Sequence, residues 1–146
     1  MKIGKTKSLF KILFLLSIIV LSIGCDDSIP TIPQTENGNF TLYISNQSSN
    51  IDPVDIKVII DGQIAVNQEF LNSGGHNWIK FQFQLKKGKH LLFASSAKGN
   101  LKQDSVFTVD SKLYGVVDYW FYPGNSGNKE FKKFIIIFSE TGIDFL

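Results

Sequence analysis

From residue 40 onward, apolar and polar positions alternate with a period of two. Phe40, Leu42 and Ile44 alternate with Thr41, Tyr43 and Ser45, and Val54, Ile56, Val58 and Ile60 with Asp55 and Lys57. That spacing predicts strands with one face on a core. In the next run Ile79, Phe81, Phe83 and Leu85 take one face, and Trp78, Lys80, Gln82 and Gln84 the other. His90 to Ala97 and Leu101 to Val109 read as two more strands. Leu113 to Tyr122 and Phe131 to Phe138 are apolar on both faces, which predicts a central place in a sheet for the first of them. Polar and glycine-containing breaks separate the runs, and no window shows helical spacing.

About eight short strands with turns roughly every ten residues predict an all-β domain over residues 40–146. The expected architecture is a two-sheet antiparallel sandwich of the immunoglobulin or fibronectin type. Within it, Asp61-Gly62 marks a hairpin. A two-residue loop would turn Ile64 and Val66 to the wrong face. A three-residue loop, Ile60-Asp61-Gly62, pairs Val58 with Ile64 and Ile56 with Val66, with Gly62 at the left-handed position of a bulge. The second register is the expectation.

Ahead of the strands the pattern is different. Lys2, Lys5, Lys7 and Lys11 precede a 13-residue apolar run, Ile12 to Gly24, and no acid occurs before Asp26. A basic start, a short apolar segment and small residues before a cut form the pattern of a secretory signal peptide, read here as a helix over residues 1–24. A spanning helix needs about 20 apolar residues.

Leu21-Ser22-Ile23-Gly24-Cys25 resembles the lipobox of bacterial lipoproteins, with Ser22 where an aliphatic residue is usual. The resemblance implies lipid on Cys25 and cleavage before it. It also implies a membrane partner reached through that lipid. Asp26-Asp27 resembles lipoprotein sorting signals. The expected location is the bacterial cell envelope, on the outer rather than the inner membrane. Residues 25–39, with two prolines and no periodicity, read as the lipidated cysteine and a flexible tether.

Composition changes the picture once the leader is set aside. All 15 basic residues are lysines. Removing residues 1–24 leaves 11 lysines against 13 acids, a formal charge of −2. The basic total therefore belongs to the leader, and no nucleic-acid partner is expected. The remaining 122 residues are enough for one domain with its own core. Cys25 is the one cysteine, so packing rather than disulfides must hold the fold.

Candidates for chemistry are few. His76 lies in a glycine turn and His90 begins a strand, and neither has metal-ligand spacing. Asp52, Asp55, Asp104 and Asp110 are dispersed, without the spacing of a calcium loop. No serine sits in a nucleophile elbow. The expectation is no catalytic residue, no metal and no cofactor, with a spatially assembled hydrolase site as the competing class.

The aromatic residues carry more. Trp78 falls on the polar face with Lys80 and Gln82, and Trp120 and Tyr122 stand near a sheet end. An aromatic ring beside amides can stack on a sugar or anchor a protein. These five are the candidate ligand or partner surface, with burial of Trp120 in the core as the competing expectation. The expected function is a lipid-anchored, non-catalytic binding or assembly module for a glycan or an envelope protein. The alternatives are the hydrolase and a purely structural subunit of an envelope complex.

Overall fold

The computed structural model describes residues 29–72, 74, 77–125 and 129–143. The signal segment, Cys25 and His76 lie outside these residues. The chain forms eight strands: β1 (Phe40–Asn46), β2 (Val54–Ile60), β3 (Gln63–Phe70), β4 (Ile79–Phe83), β5 (Gly88–Ser96), β6 (Leu101–Val109), β7 (Leu113–Tyr122) and β8 (Phe131–Ser139). They make two four-stranded sheets, β4-β1-β7-β8 and β3-β2-β5-β6. The fold is an all-β, two-sheet sandwich of immunoglobulin-like form. One pairing, β1 with β7, is parallel, and the other neighbours run antiparallel.

The alternation explains the core. Phe40, Leu42 and Ile44 of β1, Phe81 and Phe83 of β4, and Val117 and Tyr119 of β7 face inward from one sheet. Val54, Ile56, Val58 and Ile60 of β2 and Leu92 and Ala94 of β5 meet them from the other. Interdigitation of two such faces is what holds a sandwich together. β7 is central, as its two apolar faces predict, whereas β8 is an edge strand. Its inward Phe138 stacks on Phe107 of β6 with ring centroids 4.7 Å apart, and this contact brings the two sheets together along that side.

The β2–β3 hairpin corrects the expected register. Asp61 and Gly62 form a two-residue turn with φ of 49° and 79°, both left-handed, as a type I′ turn requires. It pairs Ile60 with Gln63 and Ile59 with Ile64, and the register then shifts so that Val58 meets Val66. Ala65 is the extra residue of a bulge. The bulge turns Val66 and Phe70 inward, where a regular ladder would have sent Ala65, Asn67 and Glu69. The objection to the short loop is thus met one step further along the strand. Gly62 has the positive φ that the hairpin reading asked for, but within a different turn.

The second adjustment lies before β1. The described part of the expected tether, from residue 29, is hydrogen-bonded to the sandwich. Ile64 N–H donates to the Pro30 carbonyl and Ile32 N–H to the Ile64 carbonyl, each at 2.8 Å. Thr35 N–H donates to the Gln82 carbonyl at 2.9 Å. These residues therefore form a strap that joins the β3 edge of one sheet to the β4 edge of the other. Unpaired edge groups invite pairing, and the strap occupies them. Its last residue, Asn39, exchanges two hydrogen bonds of 2.9 Å with the backbone of Leu85, amide to carbonyl and N–H to amide oxygen.

Gly38 lets the strap pass. A Cβ there would stand 2.1 Å from the Phe83 carbonyl oxygen, a backbone atom that cannot step aside. Gly38→Ala is therefore expected to lift the strap and destabilise the domain by about 1–3 kcal/mol. The check is a urea unfolding midpoint, and a variant as stable as the parent would show that the strap does not bear on the fold.

Candidate functional site

The sequence places Trp78, Lys80 and Gln82 on the polar face of one strand and Trp120 and Tyr122 near a sheet end, and in the structure both groups belong to the β4-β1-β7-β8 sheet. Trp78 precedes β4, with Lys80 and Gln82 further along that strand. Trp120 and Tyr122 close β7. They do not form one patch. Lys80 and Gln82 line a shallow depression of about 270 Å³ with Gln34, Thr35 and Glu36 of the strap. Trp78 is half-buried rather than turned to solvent. Its indole N–H donates to Asp118 Oδ1 at 2.8 Å.

Asp118 is the residue that sequence reasoning missed. It is a lone carboxylate within the apolar strand β7, which was the available signal. It is 8% exposed on the outer face and accepts from Ser45 Oγ at 2.6 Å on the same Oδ1. Gln47 Nε2 in turn donates to Ser45 Oγ at 2.8 Å. A chain of hydrogen bonds thus runs from the Trp78 indole through Asp118 and Ser45 to Gln47. Burial pushes the Asp118 carboxyl above its ordinary range, and the bonds from Ser45 and Trp78 only partly offset that.

Gln47 leads to the end of the sandwich. There Gln47, Ser49, Asp52, Asn72, Gly74 and Tyr122 line a depression of about 400 Å³. Asp52 Oδ1 accepts the Asn72 N–H at 2.9 Å and so joins the β1–β2 loop to the chain after β3. Tyr122 is 47% exposed. Its ring centroid lies 5.7 Å from that of Trp120 and 6.4 Å from that of Phe131. Trp120 is not in the core. The buried aromatic of β7 is Tyr119, while Trp120 points outward, half-buried, with its indole N–H shut off from solvent and unpaired. Sequence inspection found Tyr122 but not Gln47, Ser49 or Asn72, and weighed Asp52 only as a dispersed acid without the spacing of a calcium loop. Those sit in polar turns, and only the strand topology brings the turns to one end.

His90 forms the other cluster of titratable groups. Its Nδ1 lies 2.6 Å from Asp61 Oδ2 and its Nε2 2.8 Å from the Lys86 carbonyl. Both partners are acceptors, an arrangement that favours a proton on each ring nitrogen and so the cationic imidazole. Burial alone would lower its pKa, but the Asp61 hydrogen bond, the Lys86 carbonyl and the Asp61 charge raise it. For Asp61, burial works upward, and the Leu91 N–H and His90 bring it below its ordinary value. His90 therefore contributes stability below pH 6.5, lost as pH rises through its raised value. Asp61 contributes above pH 3.8, lost as pH falls through its lowered one. The nitrogen that would serve a nucleophile is taken by a backbone carbonyl, and the ring stacks on Phe107 at 5.3 Å.

Among the described residues, no group of three or more potential ligating side chains could hold a metal ion. Nor is any helix among them long and apolar enough to cross a membrane. No protein-family model matches the chain, and no curated protein or solved structure does either.

Asp118 yields a pH test. Its folded pKa lies above the unfolded value of 3.8, so its contribution is complete below that pH and is lost as pH rises through the folded value. Asp118→Asn keeps an acceptor at Oδ1 without the charge. The variant is expected to be more stable than the parent near pH 7, with the gap closing towards about pH 3.5. Urea midpoints at the two pH values check this. A variant weaker at neutral pH would mean that the ionised carboxylate stabilises the sheet.

Proposed function

We propose that this chain is a non-catalytic binding module anchored by lipid on Cys25, taking a carbohydrate at the Tyr122 depression. The observation that carries the reading is a half-exposed tyrosine ring bordered by an amide, a hydroxyl and a carboxylate. The apolar face of a sugar ring packs on an aromatic side chain, while its hydroxyls need both donors and acceptors. Gln47 and Asn72 side chains contain both kinds of group, and Asp52 accepts. The neighbouring Trp120 and Phe131 rings support Tyr122 from the sheet.

The binding reading takes further support from His90. Its two nitrogens serve hydrogen bonds that join the β2–β3 turn to the β4–β5 loop, and such use is structural. The Asp118 network serves the depression in a related way, since it holds Gln47 through Ser45. A networked side chain loses less freedom when a ligand binds.

Two experiments test the two halves of the proposal. A panel of purified polysaccharides, scored by co-sedimentation and by glycan array, should include at least one class that retains the protein. Tyr122→Ala should weaken that retention at least tenfold and leave the unfolding midpoint nearly unchanged, because the ring is half-exposed. No retention by any glycan, or a Tyr122→Ala variant that binds as the parent does, overturns the sugar reading. A membrane protein captured through the same residues would replace the sugar by a protein.

The anchor is tested separately. Cys25→Ser is expected to abolish incorporation of labelled fatty acid and to move the protein from the membrane to the soluble fraction. Unchanged fractionation with an unshifted mass would remove the anchor.

A further inference from the structure

Each sheet ends in two edge strands, and the strap covers only one edge of each, β3 through Ile64 and β4 through Gln82. On the opposite side β6 and β8 have one neighbour apiece. Among the described residues β8 pairs with β7 alone, and no further backbone hydrogen bond reaches it. Along its nine residues, alternate amides and carbonyls therefore point away from the sheet without a backbone partner.

The two open edges differ in composition. Lys102, Gln103, Asp104 and Ser105 follow one another along β6, a polar run that discourages a neighbouring strand. In β8 the run from Phe134 to Phe138 is apolar on both faces. Phe134, Ile136 and Phe138 lie on the side of the core, opposite Tyr119, Val117 and Gly115 of β7. Ile135 and Ile137 lie on the outer face, where Ile137 is 51% exposed. Such a pattern suits a strand inside a sheet rather than one at its margin. β7 has it too, and β7 has a neighbour on either side.

The sequence of β8 is complementary to itself. In an antiparallel pair about a two-fold axis at Ile136, that residue meets its own copy, Phe134 meets Phe138 and Ile135 meets Ile137. Lys133 then faces Ser139, and Lys132 faces Glu140, the residue that follows the strand. Within one copy the Lys132 ammonium has Glu130 only at 4.0 Å. With the axis at Ile135, Glu130 would face Glu140 and Lys133 would face Ile137. With the axis at Ile137, Phe134 would face Glu140. The Ile136 register sets apolar against apolar and joins opposite charges twice, and no like charges face each other in it.

We propose that β8 is a self-association edge: two copies join β8 to β8, antiparallel about Ile136, and merge their four-stranded sheets into one continuous sheet. The occupant is a second copy of this chain because the strand supplies its own complement in both apolar faces and in charge. Backbone hydrogen bonds give the contact its strength, and the side chains on the two faces give it its register. The pairing depends on neither a sugar at Tyr122 nor a lipid on Cys25. A single strand seam is small beside a permanent interface, so the dimer forms and dissociates with concentration.

The test uses the full chain, purified in detergent. Sedimentation should show monomer passing to dimer as concentration rises. Ile137→Lys sets a charge against Ile135 of the other copy and should raise the dissociation constant at least tenfold. Its unfolding midpoint should stay near the parent's, because the side chain is half-exposed. Disulfide capture reads the register in a Cys25→Ser background, which has no other thiol. Lys133→Cys and Ser139→Cys chains, mixed and mildly oxidised, should yield several-fold more linked dimer than either alone. Facing Cβ atoms lie within disulfide reach in this register, whereas like positions stand about 20 Å apart. A chain that stays monomeric at every concentration overturns the proposal. So does one whose β8 amides gain protection from hydrogen exchange only when a different protein is bound. A dimer indifferent to Ile137→Lys, or one captured equally well by each thiol variant alone, puts the contact elsewhere and overturns it as well.

Discussion

Both backbone groups of Ile64 point away from β2, and the whole amino-terminal side of the sandwich depends on where their hydrogen bonds go. They go to Pro30 and Ile32, at 2.8 Å each. Two stacked sheets leave two open sides, and each side exposes edges whose amides and carbonyls must find partners. On one side the strap supplies them, continuing to Gln82 of β4. On the other, Phe107 and Phe138 stack across the gap between β6 and β8. The bulge at Ala65 belongs to the same solution. It lets Val66 and Phe70 reach the core while Ile64 keeps its edge groups turned to the strap.

Three aspartates show how the same side chain serves different ends. Asp55 accepts from Ser96 Oγ and from the N–H groups of Ala97 and Lys98, at 2.8–2.9 Å, and so closes the β5–β6 turn. Burial opposes its ionisation, but these bonds prevail and lower its pKa. Asp61 closes a turn as well, and gains a cationic partner in His90. Asp118 has two donors and deeper burial, and there desolvation prevails. The first two are carboxylates used as clamps at the margins of the fold. Asp118 instead links two neighbouring strands and the Trp78 indole on the outer face of their sheet.

Much of this architecture was legible in the residues. Period-two alternation found β1, β2 and β4, because a half-buried strand imposes that pattern directly, and the later strands were legible as apolar or turn-bounded runs. The sandwich followed from strand number and spacing. The register of the hairpin was not legible, because an alternation test over Ile64 and Val66 misses a bulge that only Phe70, six residues on, makes necessary. The strap was hidden as well. Its bonds are made by backbone, and its sequence, with two prolines and no periodicity, resembles any linker. The candidate site was half-visible. Tyr122 is conspicuous, while Gln47 and Asp52 are ordinary loop residues until topology gathers them beside it. For Trp120 the sequence leaves surface and core in competition, and alternation with the buried Tyr119 sends it outward.

The strap also decides how the domain would take a mechanical load. A pull on the amino-terminal end meets first the bonds of Pro30 and Ile32 to Ile64, then that of Thr35 to Gln82, all made by extended chain running along the edge strands. Beyond them the chain enters β1, which is flanked by β4 and by its parallel neighbour β7 over seven residues. Tension applied along such a strand acts on many bonds at once, in shear, rather than peeling them one after another. The residues that close the edge of the fold therefore double as a strain relief between whatever holds the chain's start and the hydrophobic core.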